Sequence, residues 1–317
     1  MRISSSRFGL AVILGGWIYY GLYGAIAWGA DGNSIRVLTS FFPVYCLAVE
    51  VAGDGASVEN LLPAKVGPHD YQLAPKDLRK ITLANLVIMN GLGLESWLER
   101  VIQQQTPKER PQMVRLADGL DDELIREGAS GHSHGDKDSS DGHGHEHSDI
   151  NPHIWLDPCL AAHGVTNIME AMIKSDPSRS EGYRKRAEVL IGRLEALHRE
   201  YERRLAPVRA QAFITHHQAF PYLIRRYGLK LAGVLEEVPE VEPSARHLKR
   251  LSQTIREQKV RVLFVEPQST SKIAGQLARD HGIGLAELDP LEVGPLEAGA
   301  YERLMRQNLS ILVNQLR

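Results

Sequence analysis

The sequence is poor in cysteine, in net charge and in long apolar runs. Its 317 residues include only two cysteines, Cys46 and Cys159, which is too few for a zinc site built from thiolates. The formal net charge is -2, and this near balance gives no sign of a nucleic-acid partner. Beyond residue 31 no apolar run is long enough to span a membrane, so we expect a soluble body.

The N-terminus carries the one long apolar run. Arg2 and Arg7 precede an uncharged stretch over residues 8–30 that ends in small residues. This pattern predicts a signal peptide over residues 1–30 and export to the periplasm, with an uncleaved membrane anchor as the alternative. No cysteine lies near the expected cleavage region, which argues against a lipid anchor. An oxidising compartment permits a bond between Cys46 and Cys159, and the sequence leaves that pairing open.

Histidine is what the sequence has in excess. Five of its 13 histidines fall in residues 131–149, which read GHSHGDKDSSDGHGHEHSD: His132, His134, His143, His145 and His147. A neutral imidazole suits Zn, Cu, Fe and Ni, whereas a segment of His, Gly, Ser and Asp cannot bury a core. We therefore predict a disordered loop that binds several metal ions weakly. A solvated low-complexity loop without a metal role is the alternative.

Short apolar runs alternate with helical patterns in both halves of the chain. The predicted strands cover residues 35–39, 58–62, 86–89, 113–116, 212–215, 229–235, 260–265 and 284–288. This alternation predicts an α/β protein with two lobes, each with a mainly parallel sheet. Between the halves, residues 178–206 contain no proline and repeat apolar residues at helical spacing. The chain is therefore divided into an N-terminal lobe (31–175), one long linking helix (176–206) and a C-terminal lobe (207–317).

Four side chains with metal-binding atoms follow predicted strands. They are His69, His153, His217 and Asp289. Ligands of parallel α/β sheets bind beyond the carboxyl ends of the strands, and three imidazoles with one carboxylate fit a four-coordinate zinc ion.

Spacing alone leaves two choices open. Glu266, before Pro267, is another carboxylate at a strand end and rivals Asp289 for the fourth position, which a water molecule could also fill. His216 and His217 are neighbours whose side chains point in different directions, so at most one of them is expected to face the ligand.

Four segments in order carry a family resemblance: PHDYQLAPKD, NPHIWLDP, THHQAFPYLIRRYGL and FVEPQSTSKIAGQLARDHGIGLAELDPL. They resemble the metal-specific (cluster A-I) solute-binding proteins of ABC importers, in particular their zinc-uptake, ZnuA-like branch. The resemblance implies two (β/α) lobes joined by one rigid helix, with the ion between them. It implies ligands at His69, His153 and His217, and Asp289 matches the acidic fourth position of some members. Pro68 stands where some zinc binders have a glutamate.

The function implied by the resemblance is capture rather than catalysis. It implies a monomer that binds Zn2+ tightly and delivers it to the membrane permease of an ABC importer. A manganese-binding protein of the same class is one alternative, although those relatives have a carboxylate where His217 stands here. An exported zinc hydrolase is the other, because three histidines and an open water position also form a catalytic site.

Overall fold

The computed structural model describes residues 34–69, 71–126, 150–237, 241–267, 269 and 271–317. The predicted signal peptide and the five histidines predicted to form a weak metal-binding loop lie outside these ranges. Within the described ranges, no helix is both long enough and apolar enough to cross a bilayer.

The first lobe is built on a four-stranded parallel sheet with the strand order β2-β1-β3-β4. Its central strand β3 is buried along its whole length and reads LVIM, a continuous apolar run of the kind that a sheet covered on both faces requires. The strands are β1 (Ile35–Thr39), β2 (Ala56–Asn60), β3 (Leu86–Met89) and β4 (Gln112–Arg115). The helices are α1 (Phe42–Ala52), α2 (Pro75–Leu83), α3 (Ser96–Gln104) and α4 (Pro158–Ser175).

The second lobe repeats this arrangement, because its parallel sheet has the order β6-β5-β7-β8. Its strands are β5 (Ala212–Thr215), β6 (Lys230–Val234), β7 (Val262–Val265) and β8 (Gly284–Glu287). Its helices are α6 (Pro221–Tyr227), α7 (Ala245–Gln258), α8 (Lys272–His281) and α9 (Ala300–Leu316). The predicted fold class, two α/β lobes with parallel sheets, is therefore confirmed.

One long helix, α5 (Ser180–Leu205), follows the first sheet and precedes the second along the sequence. Its 26 residues give a length of about 39 Å. Its buried residues recur every three or four positions and form one apolar face. That face packs on α1 and α4 of the first lobe and on α9 of the second. Tyr201, fully buried, donates a hydrogen bond of 2.5 Å to the carbonyl of Met305 on α9. Helix α5 lies within the linking helix predicted for residues 176–206, and the lobe boundaries on either side of it remain a prediction.

Two helices of the second lobe begin later than the apolar pattern predicts, and side-chain caps explain why. Helix α7 begins at Ala245 rather than Pro243, because the Ser244 hydroxyl accepts a hydrogen bond from the backbone N–H of His247. Helix α8 begins at Lys272 rather than Ser269, because Ser271 caps it in the same way.

Hydrogen bonds connect the segment just before α4 to the second lobe. Trp155 is fully buried and its indole N–H donates to the carbonyl of Pro290, at 2.8 Å, in the second lobe. Tyr301 on α9 donates from its hydroxyl to the carbonyl of Trp155, at 2.5 Å. The Tyr222 hydroxyl of α6 donates to the carbonyl of Asn151, at 2.7 Å. This segment, with His153 in it, is thus fixed against the second lobe.

Candidate metal centre

Four side chains from four different segments bring one donor atom each to a common point: His69, His153, His217 and Glu292. His69 follows β2, His153 precedes α4, His217 follows β5, and Glu292 lies between β8 and α9. His153 and His217 are buried, whereas the side chain of His69 is 28% exposed. The three predicted histidines therefore meet, and the fourth member of the group is Glu292.

The spacing of the donor atoms matches a tetrahedral zinc shell. Glu292 Oε1 lies 3.1 Å from His69 Nε2, 3.4 Å from His153 Nε2 and 3.7 Å from His217 Nε2. The Nε2 atoms of His153 and His217 are 3.3 Å apart. Zinc bonds of about 2.0–2.1 Å at tetrahedral angles place ligand atoms about 3.3–3.4 Å from one another. The four donors thus surround a space of the size that a zinc ion needs.

Asn151 fixes the ring of His153. The fully buried Asn151 amide donates from Nδ2 to the carbonyl of Gln218, at 2.8 Å, so its Oδ1 atom must face the other way. Oδ1 lies 3.0 Å from His153 Nδ1 and accepts the backbone N–H of His153 at 3.1 Å. Since Oδ1 can only accept, the Nδ1 atom of His153 carries the proton. Its Nε2 lone pair is left for a cation.

Glu266, the rival for the fourth position, lies on the far side of the His217 ring from the group. Its Oε1 atom contacts His217 Nδ1 and is 3.1 Å from His216 Nδ1. Burial alone would raise the pKa of Glu266, but hydrogen bonds from both rings lower it to about 2. The carboxylate therefore accepts the Nδ1 proton of His217 and leaves Nε2 to face the other donors.

His216 is not a member of the group of four, and both of its ring nitrogens face carboxylates. Its Nδ1 faces Glu266, and its Nε2 lies 3.2 Å from a carboxylate oxygen of Glu236. Burial lowers the pKa of His216, but the carboxylates outweigh it and the net direction is upward. With a carboxylate at each nitrogen, this ring lies outside the group of four, and with His217 and Glu266 it forms a second, separate cluster of potential metal ligands.

Asp289, predicted as the acidic fourth ligand, lies outside the group of four. Its Oδ1 atom accepts a hydrogen bond from the backbone N–H of Leu291 at 2.7 Å. The side-chain amide of Asn308 accepts from the backbone N–H of Asp289 and donates to its carbonyl. The Asp289 carboxylate thus closes the turn after β8, and that turn carries Glu292, three residues later, to the three imidazoles. Burial and the nearby carboxylates raise the pKa of Asp289 to about 6.

Charge distribution in the group favours a cation. Burial alone would raise the pKa of Glu292, but the imidazoles of His153 and His69 beside its carboxylate hold it well below its usual range. Burial lowers the pKa of His153 to about 4, so its imidazole is neutral at physiological pH. The group therefore offers one carboxylate and a neutral buried imidazole that needs no deprotonation before it binds a metal.

Both cysteines are free thiols and take no part in this group. Cys46 is buried on α1, where its Sγ donates to the carbonyl of Glu297 at 3.4 Å. Burial raises the pKa of Cys46 to about 12. The thiol is thus inert at neutral pH.

The fold and the comparisons with known proteins agree on the class of protein. Two parallel-sheet lobes packed along one helix, with side chains of both lobes meeting at one point, define a two-lobed solute-binding protein. Residues 37–315 match the family described as zinc-uptake complex component A, periplasmic. The chain belongs to this family.

Three relatives illustrate the similarity. The chain is 32% identical over 291 residues to the high-affinity zinc uptake system protein ZnuA of Bacillus subtilis, covering 90% of this chain and 89% of that protein. It is 30% identical over 295 residues to the zinc-binding protein AdcA of Streptococcus pyogenes, covering 89% of this chain but only 56% of AdcA. The chain thus spans about half the length of the AdcA relatives.

The structure of the laminin-binding protein Lmb of Streptococcus agalactiae superposes with a TM-score of 0.76 at 30% identity. That match covers 90% of this chain and 100% of Lmb, which is described as a bifunctional protein with adhesin and metal transporting activity.

Proposed function

We propose that this protein binds Zn2+ outside the cytoplasm through His69, His153, His217 and Glu292, and delivers it to the permease of an ABC importer. The observation that carries the proposal is the convergence of these four donor atoms at the spacing of a tetrahedral zinc shell. The zinc-uptake family to which the chain belongs supports the same cargo and the same location. The signal peptide over residues 1–30 and a monomeric state are part of this proposal.

The donor set favours zinc over manganese. Three imidazole nitrogens and one carboxylate oxygen are borderline-soft and tetrahedral, whereas Mn2+ prefers carboxylate, carbonyl and water oxygens in octahedral geometry.

The same donor set favours binding over hydrolysis. A catalytic zinc ion keeps one position for water, whereas Glu292 occupies the fourth corner of this group. Glu266 is the nearest additional carboxylate, and it is held by His216 and His217 rather than aimed at a free position. We therefore assign a carrier role and no enzymatic one.

The exposure of His69 supports a route for the ion. Its side chain is 28% exposed, and those of His153 and His217 are 3% and 6% exposed. Zinc would meet His69 first on entry and leave it last on release to the permease. The segments that carry His69 and Glu292 are joined by a backbone hydrogen bond from Gly294 to Ala64, at 3.0 Å.

A competition titration tests the proposal. The chain without residues 1–30 is titrated with Zn2+ and, separately, with Mn2+ against a chromogenic chelator. We expect one tight zinc site, much weaker Mn2+ binding, and loss of the tight site in His153→Ala. Unchanged zinc affinity in that variant, or preference for Mn2+, refutes the assignment. Zinc-dependent hydrolysis of activated esters by the loaded protein would favour the hydrolase instead.

Deletion of residues 131–148 distinguishes a zinc carrier with one tight site from a zinc store based on the His-rich segment. An isolated antiparallel bridge joins Arg126 to Ile150, so the described residues on either side of the deleted segment lie side by side. We expect the shortened protein to keep its tight site and to lose weaker zinc equivalents. Loss of the tight site would favour a zinc store centred on the His-rich segment.

A further inference from the structure

We infer that Glu266 is a positioning residue for zinc binding: it holds the Nδ1–H of His217, which fixes the tautomer that presents Nε2 to the ion. The inference rests on the proposed function and assigns a role to a residue outside the ligand set.

The sheet of the second lobe places Glu266 beside His217. Strands β5 and β7 are parallel neighbours, with Thr215 paired to Phe264. Two residues further along the chain, just past the ends of these strands, come His217 and Glu266. The two strands also flank the point where the strand order of this sheet reverses, which is the usual place for a ligand in open α/β sheets. The contact is thus a consequence of register rather than of a flexible loop.

The two nitrogens of His217 have opposite surroundings. Nδ1 contacts Glu266 Oε1, whereas Nε2 lies 3.3 Å from His153 Nε2 and 3.7 Å from Glu292 Oε1. A neutral imidazole has one proton, and a carboxylate can only accept it. The proton therefore stays on Nδ1, and the lone pair of Nε2 is directed at the ion before the ion arrives.

The two buried ligand rings are fixed by partners of different charge. His153 Nδ1 donates to the neutral amide oxygen of Asn151, whereas His217 Nδ1 donates to a carboxylate. An anionic acceptor polarises the ring more strongly and raises the basicity of Nε2. Changing such a hydrogen-bond partner of a metal ligand typically costs about 10–100-fold in metal affinity.

Glu236 provides a matched control. It is a carboxylate of the same lobe that contacts His216 Nε2, at 3.2 Å, and it is not one of the four ligand-group residues. Glu236→Gln removes the same charge one ring further from the ion. Any general effect of lost negative charge on zinc affinity appears equally in this variant.

The experiment measures zinc affinity by chelator competition in the wild-type chain and in Glu266→Gln, Glu266→Ala and Glu236→Gln. Because the glutamine oxygen can still accept Nδ1–H without carrying charge, we expect Glu266→Gln to weaken zinc binding about 10-fold. Glu266→Ala loses the acceptor altogether, and we expect a loss on the order of 100-fold. Glu236→Gln should stay within about two-fold of wild type. Circular dichroism checks that each variant is folded.

The tautomer itself supplies a second readout. In zinc-free protein labelled with 15N-histidine, two-bond 1H–15N spectra report which nitrogen of His217 carries the proton, with His217→Asn used for assignment. We expect the Nδ1–H tautomer in wild type and in Glu266→Gln. If Glu266→Ala folds, we expect a mixture of tautomers there.

Distinct results overturn distinct claims. If wild type lacks a tight zinc site, the proposed function fails. If wild type binds zinc but Glu266→Gln binds equally well, or Glu236→Gln loses as much, the positioning role fails alone. The role also fails if His217 in wild type carries its proton on Nε2.

Discussion

Replacing Glu292 by glutamine should remove most of the tight zinc binding, whereas replacing Asp289 by asparagine should not. Glu292 Oε1 lies 3.1–3.7 Å from all three imidazole nitrogens, so it is one of four donors. The free energy of zinc binding at sites with four protein ligands is roughly 10–16 kcal/mol in total, which is about 3 kcal/mol per donor. Losing the only anionic donor should therefore weaken Kd on the order of 100-fold.

Asp289→Asn is the matched comparison, since it removes the same charge from the same turn. The asparagine Oδ1 can still accept the N–H of Leu291, so the turn that carries Glu292 is preserved. We expect less than about a ten-fold change from the loss of a charge outside the ligand group. Both variants are measured at pH 7.5 by competition with a chelator of known affinity. If Asp289→Asn loses as much affinity as Glu292→Gln, the geometric assignment of the fourth donor is wrong.

Three further predictions concern the residues around the ion. Asn151→Ala should weaken zinc binding at least about 10-fold, because the His153 ring loses the acceptor of its Nδ1–H; unchanged affinity in a titration would contradict this. Zinc-free protein should lose stability as pH falls from about 6.5 to about 4. Over this range His153 is protonated in the unfolded chain but stays neutral when it is buried in the folded protein. Urea unfolding measures how much free energy of unfolding is lost between pH 7 and pH 5. This loss should be about 2 kcal/mol smaller in His153→Leu than in wild type, and equal losses would contradict the burial argument. Gly294→Ala should lower the unfolding free energy by about 1–3 kcal/mol, since the added methyl would lie 2.7 Å from the Phe42 ring, and a wild-type melting temperature would count against that contact.

Much of the fold could be predicted from the sequence because its local signals are consistent. Strand β3 is an uninterrupted apolar run, and α2 begins with a proline at its first position, so both were predicted with the bounds they have. The apolar face of α5 at helical spacing, without an internal proline, predicted one long helix. Family resemblance then named the three histidines that the structure brings together.

The fourth donor could not be read from the sequence, because a turn decides it. Asp289 and Glu292 are both carboxylates after β8, and the turn between them, with its hydrogen bonds from Leu291 and Asn308, determines which of them faces the histidines. Leu291 has a positive φ of 56°, a conformation that few non-glycine residues adopt and that apolar patterning does not report. The available signal was the presence of a second acidic residue three positions downstream. The role of Glu266 was hidden because it depends on a contact with the distant His217, and the role of Asn151 because Gln218 of the second lobe orients its amide.

The backbone bridge between Arg126 and Ile150 has a practical consequence. Because it holds the described residues on either side of the His-rich segment next to each other, a foreign domain can be spliced between them without pulling β4 and α4 apart.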